Sequence, residues 1–198
     1  MRNYPTISRA SSPRWRVALL GETLQARASL AEAIHRTGGT VVLARVSPSE
    51  AMDALNRERP DVAIVAPQPT WHGGAFLMRL RDQARCPVVL LAQGPSRRLL
   101  DEALEGGVMA CLIEPVRQVQ LASTLDLAVA RYREMQGLRQ ALADRKVIER
   151  AKGLLMAREG LTEDEAFRRL RRSSMDTQRP LADTARAVLG AEVVAASV

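Results

Sequence analysis

RPDVAIVAPQP, from Arg59 to Pro69, contains a run that is apolar at every position from Val62 to Ala66 and is stopped by Pro67 and Pro69. A strand without polar alternation is buried on both faces, which is the signature of a parallel sheet covered by helices on either side. Two later stretches repeat the pattern: PVVLLA (Pro87–Ala92) within CPVVLLAQ (Cys86–Gln93), and ACLI (Ala110–Ile113) within GVMACLIEPV (Gly107–Val116). Upstream, RVALL (Arg16–Leu20) and TVVLARV (Thr40–Val46) read as strands of the same kind. Between the strands lie helical stretches: Gln25 to Arg36, stopped by Gly38-Gly39, and Pro48 to Glu58 with Ser47 as N-cap. Two more run from Ala75 to Ala84 and from Arg97 to Glu105, the latter stopped by Gly106-Gly107. Strand and helix alternating five times predict an α/β fold with a doubly wound sheet of five parallel strands.

Composition narrows the class. In 198 residues the apolar share is 46% and the aromatic share 3%, so the core is aliphatic. No apolar run is long enough to span a bilayer, and MRNYPTISRASSPRW at the start has no apolar segment of the secretory kind. A cytoplasmic location with no membrane association is the expectation. Cys86 and Cys111 sit in strand-like segments without metal-ligand spacing, and are expected to be buried, reduced thiols. No nucleophile–base pair or metal cluster is visible, so neither an enzyme nor a bound cofactor or metal is expected. His35 near a helix end and His72 in the loop with Trp71, Gly73 and Gly74 are each isolated, as suits packing rather than catalysis.

The net charge of +7 is concentrated. Residues 16 to 130 hold 12 Lys+Arg and 12 Asp+Glu, whereas residues 131 to 180 hold 13 against 8. A neutral body with a basic arm points to a polyanion as partner.

From Gln118 the pattern becomes continuous helix. Leu121, Leu125, Ala128, Tyr132, Met135 and Leu142 follow alternating four-three spacing, broken at Arg139 and Lys146. The spacing predicts a helix that pairs with its copy in a homodimer, or one packed on its own sheet. The helix continues through Val147, Ile148, Ala151, Leu154 and Leu155 to a stop at Gly160. Thr162 and Glu165 form a capping-box pattern that opens the next helix. On that helix Ala166, Phe167, Leu170 and Ser174 are expected on the inner face, with Arg168, Arg169, Arg171 and Arg172 on the flanks. Pro180 opens a last helix ending at Gly190.

The first two-thirds resembles the receiver domain of two-component response regulators, a flavodoxin-like or CheY-like fold. The resemblance rests on the three quoted strand phrases and covers roughly residues 15 to 130. It implies a phosphoacceptor pocket whose acidic pair falls on Gly21 and Glu22, and whose acceptor falls on Ala66. The hydroxyl position falls on Ala92, and the lysine position on Glu114, before Pro115. Aspartyl phosphorylation needs a carboxylate nucleophile, and Mg²⁺ needs several carboxylate oxygens. Ala66 supplies no nucleophile, Glu22 is alone, and Asp61 opens its strand at the opposite end of the sheet. A pseudo-receiver is therefore expected, which works by docking protein partners.

IERAKGLLMAREGLTEDEAFRRLRRSSM (Ile148–Met175) resembles the ANTAR domain of transcription antiterminators. The match is carried by Ile148, Ala151-Lys152-Gly153, Leu155-Met156, Ala166-Phe167, Leu170-Arg171, Ser174-Met175 and Leu181. Gln178 stands where the family often has Asn, and Thr184 where it prefers Val. A receiver fused to this unit most resembles antiterminators of the amidase-operon type. The resemblance implies binding to hairpins in nascent leader mRNA, with a ligand-sensing regulatory protein as a second partner. Arginines suit phosphates and unpaired bases, Lys152 would act as a point charge, and Ala151 and Gly153 would allow close approach. The expected RNA contacts are Arg150, Ala151, Lys152, Arg158, Arg171, Ser174 and Met175. A DNA-binding regulator using the receiver-like body as a dimerisation scaffold is the alternative. The expected divisions are a flexible tail at 1–14, the pseudo-receiver at 15–117 and a linking helix at 118–147. The ANTAR unit follows at 135–190, then a tail at 191–198.

Overall fold

A computed structural model describes residues 13–21, 24–44, 49–66 and 73–195. The chain divides into two compact units, Met1–Arg133 and Glu134–Val198. The first contains β1 (Arg16–Leu20), α1 (Leu24–Arg36), β2 (Thr40–Leu43), α2 (Ala51–Glu58) and β3 (Val62–Val65). It continues with α3 (Gly73–Gln83), β4 (Val88–Ala92), α4 (Arg97–Glu105) and β5 (Ala110–Ile113). Helix α5 (Gln118–Glu159) begins in the first unit and ends in the second, which adds α6 (Glu163–Thr177) and α7 (Leu181–Ala195).

The five strands form one parallel sheet in the order β2-β1-β3-β4-β5. Side chains alternate between two cores, as the period of a strand requires. Val17, Leu19, Val62, Ile64, Val89, Leu91 and Leu112 pack with Leu30 and Ile34 of α1 and with Leu121, Leu125 and Ala128 of α5. Ala18, Leu20, Ala63, Val65, Val88 and Leu90 face the other way, against α2, α3 and α4. Gly106 permits the close approach of α3 to the end of α4: a Cβ there would stand 2.5 Å from that of Leu77. The doubly wound arrangement read from the sequence is the one observed.

Several boundaries differ from expectation. Strand β2 is Thr40–Leu43, the expected Arg45 and Val46 lying outside the described residues, and α2 opens at Ala51 with Glu50 at the N-cap position. Ser47 and Pro48, like Trp71 and His72, lie outside the described residues. Cys86 is buried but Cys111 is exposed, because β5 is an edge strand on which only Leu112 is fully covered. Helix α7 runs past Gly190 to Ala195, since Gly190 keeps helical backbone, whereas Gly160 adopts φ +67° and ends α5.

The seam of α5 also needs correction in its first half. Leu121, Leu125 and Ala128 are completely buried in the first unit's own core, so they are not free to pair with a second copy. Tyr132 continues this use, its hydroxyl 3.5 Å from the Ala84 carbonyl oxygen. Beyond it the seam is open, with Leu138 68% and Leu142 57% exposed.

Candidate functional site

All five strands are parallel, so their carboxyl ends share one edge, where doubly wound folds place their sites. Gly21 follows β1, Ala66 follows β3, Ala92 ends β4 and Glu114 follows β5. Backbone bonds draw them together: the Ala66 amide donates to the Leu20 carbonyl and the Glu114 amide to that of Ala92, each at 2.9 Å. Glu22 lies outside the described residues. Along this edge the acceptor and hydroxyl positions are thus alanines, Ala66 half-buried and Ala92 buried, and the lysine position is the carboxylate of Glu114. Among the described residues no group of three or more His, Cys, Asp or Glu side chains is placed to hold a metal ion.

The second unit is built around Ala151 and Leu155 of α5, Ala166 and Leu170 of α6, and Ala185 of α7. Alanines at the contact let α6, α7 and the end of α5 pack closely. Thr162 caps α6 as expected: its hydroxyl accepts from the Glu165 amide, and the Glu165 carboxylate accepts from the Thr162 amide at 2.9 Å. Those bonds, the backbone one foremost, hold the Glu165 carboxyl below its ordinary pKa.

Two expected RNA contacts have other roles. Ala151 is fully buried in the helical core and presents nothing to a ligand. Lys152 is only 8% exposed, and its ammonium donates to Glu163 at 2.7 Å and lies 2.9 Å from Glu149. The bond to Glu163 is the main cause of its raised pKa, and Glu163 is lowered in return. Lys152 therefore ties α5 to the start of α6, and its charge is already neutralised. A lysine beside small residues in a basic segment reads as a phosphate contact; only the positions of the two glutamates reveal the tie.

The remaining candidates fall on opposite flanks. On α6, Phe167, Arg171 and Met175 succeed each other four residues apart and share one flank. Arg168 lies beside that row, and Met175 is 68% exposed. Phe167, expected on the inner face, is instead 40% exposed. Ser174 lies at the inner edge, where its hydroxyl donates to the Arg179 carbonyl at 2.6 Å and so fastens the end of α6. Arg158 lies in a different place, lining a cleft of about 460 Å³ with Arg169 and Ser173. Arg169 in that cleft is paired with Glu159. Arg150 is exposed on α5, one position before the buried Ala151. Arg171 and Met175 thus stand together, whereas Arg150 and Arg158 do not join them.

The ANTAR domain family matches residues 136–189, which take in the latter part of α5, all of α6 and α7 as far as Leu189. The transcriptional regulatory protein PdtaR of Mycobacterium tuberculosis is 31% identical over 197 residues, covering 96% of both chains. The chain belongs to the ANTAR-domain transcriptional regulators. A second relative, the nitrate regulatory protein of Klebsiella oxytoca, is 39% identical over 56 residues, which are 28% of this chain and 14% of that protein. The body that precedes the ANTAR domain has the receiver fold. It is similar to the signal receiver domain of a diguanylate cyclase from Desulfovibrio desulfuricans, with TM-score 0.56, 19% identity and coverage of 61% of this chain and 98% of that one. The receiver domain of an HD-domain protein from Pseudomonas fluorescens gives TM-score 0.55 at 21% identity, covering 66% and 98%. No helix among the described residues of this ANTAR regulator is long and apolar enough to cross a membrane.

Proposed function

We propose that this ANTAR regulator is a cytoplasmic RNA-binding antiterminator that holds hairpins in nascent leader mRNA. Control comes from a protein partner and not from aspartyl phosphate. The observation that carries the reading is the flank of α6, where Arg168 and Arg171 stand beside exposed apolar side chains, within the segment that matches the ANTAR family. Guanidinium groups pair with phosphates, and apolar side chains beside them meet unpaired bases, which a hairpin loop offers and a paired duplex does not.

Control by protein contact is supported in the receiver-like unit. Ala66 has no group to accept a phosphoryl, and Glu114 would repel one. An apolar cleft of about 400 Å³ opens beside Leu100, Cys111 and Ile113, all exposed, and suits a partner's apolar side chains. Homodimerisation is assigned to the open part of α5 around Leu138 and Leu142. In binding assays the full chain is expected to retain a leader hairpin, with affinity falling as salt rises, and to release duplex DNA. Preference for duplex DNA would establish the DNA-binding alternative. Acetyl phosphate should neither label the protein nor change its RNA affinity.

A further inference from the structure

Phe167 is the sole aromatic residue between Glu134 and Val198. A unit with one ring would ordinarily bury it, since an aromatic side chain is the largest source of apolar burial. Here the core is closed by Ala151, Leu155, Ala166, Leu170 and Ala185, and the ring stands outside it. Its surroundings are fixed. The Lys152 ammonium lies over the ring, 6.0 Å from its centroid, and is itself held by Glu149 and Glu163. Arg171 follows one helical turn later on the same flank, with Arg168 next to the ring in sequence.

A ring beside guanidinium groups matches the chemistry of single-stranded nucleic acid, in which every base has a face to stack and every nucleotide a phosphate to pair. Of the acids near the ring, Glu163 and Asp164 open α6, and Glu149 lies on α5 beside the Lys152 ammonium. They repel phosphate there and direct the backbone toward the arginines beyond the ring.

We propose that Phe167 is a stacking platform for one unpaired base of the hairpin loop, with Arg171 pairing an adjacent phosphate. The proposal rests on the RNA-hairpin reading and deepens it. The test uses the full chain and RNA hairpins that the wild-type protein retains from a pool with randomised loops. Phe167→Leu should weaken binding about 5- to 150-fold, the range for loss of one stacked base. Its dependence on salt should stay that of wild type, because no cation is lost. Phe167→Trp should keep the affinity, and its indole emission should be quenched by the hairpin beyond any change in wild type. Unchanged affinity in Phe167→Leu, equal losses in both variants, or a tight Phe167→Trp complex without added quenching would each overturn the platform. If the wild-type chain retains no hairpin at all, the RNA reading itself fails.

Discussion

Lys152 carries its charge in the middle of the family motif, and its neighbours decide what that charge does. Glu149 of α5 and Glu163 of α6 satisfy the ammonium and the side chain is buried, so its contribution is to hold the helices together. Lys152→Ala is therefore expected to lower the melting temperature of the ANTAR unit while leaving the salt dependence of hairpin binding unchanged. Arg171→Ala should do the reverse, reducing the slope of log affinity against log salt by about one. Gln178 offers a second test. It closes α6 with φ 52°, a left-handed conformation in which Gly or Asn is favoured. Gln178→Gly should stabilise the unit by about 0.5–1 kcal/mol, read from its urea midpoint. The departure at Gln178 is visible in the sequence, but the backbone angle that gives it meaning is set by the fold.

Elements were legible where a local signal sets them. The Thr162–Glu165 cap, the stop at Gly160, helix α4 and strand β5 all stand where their residues predicted, because each is determined by neighbours a few positions away. Helix α5 was legible in extent but not in use. The four-three spacing of Leu121, Leu125 and Ala128 fits a coiled coil and a helix laid on a sheet equally well, and tertiary packing selected the sheet. The cap also gives a pH dependence. Glu163 and Glu165 are both held below the ordinary glutamate value in the fold. Depressed folded values add stability that is present above the unfolded value of about 4.3 and is lost as pH falls through the folded ones. Lys152 is raised, so its share is present at neutral pH and lost only at strongly alkaline pH. Thermal melts of the full chain should show the ANTAR transition fall as pH drops below about 4.3, and Glu165→Gln, which removes the capping carboxylate that titrates, should flatten that fall. A fall as steep in Glu165→Gln as in wild type would remove the cap as its source.

At the scale of the molecule, the fold class and the ANTAR unit were both readable, one from strand hydropathy and the other from residue spacing. The grouping of site residues was not. Arg158 and Arg171 belong to one basic segment in the sequence, yet helical geometry sends them to different faces. If α5 joins two copies beyond Tyr132, Leu138→Glu with Leu142→Glu should halve the sedimenting mass of the full chain. An unaltered mass would locate the dimer contact elsewhere. The most direct test of the central claim is the affinity of the full chain for a leader hairpin, measured across a salt series beside a duplex DNA of equal length. The account predicts a salt-sensitive hairpin complex that Arg171→Ala weakens with a shallower slope, and little binding to the duplex. Equal retention of both nucleic acids, or a hairpin complex indifferent to Arg171→Ala, would contradict it.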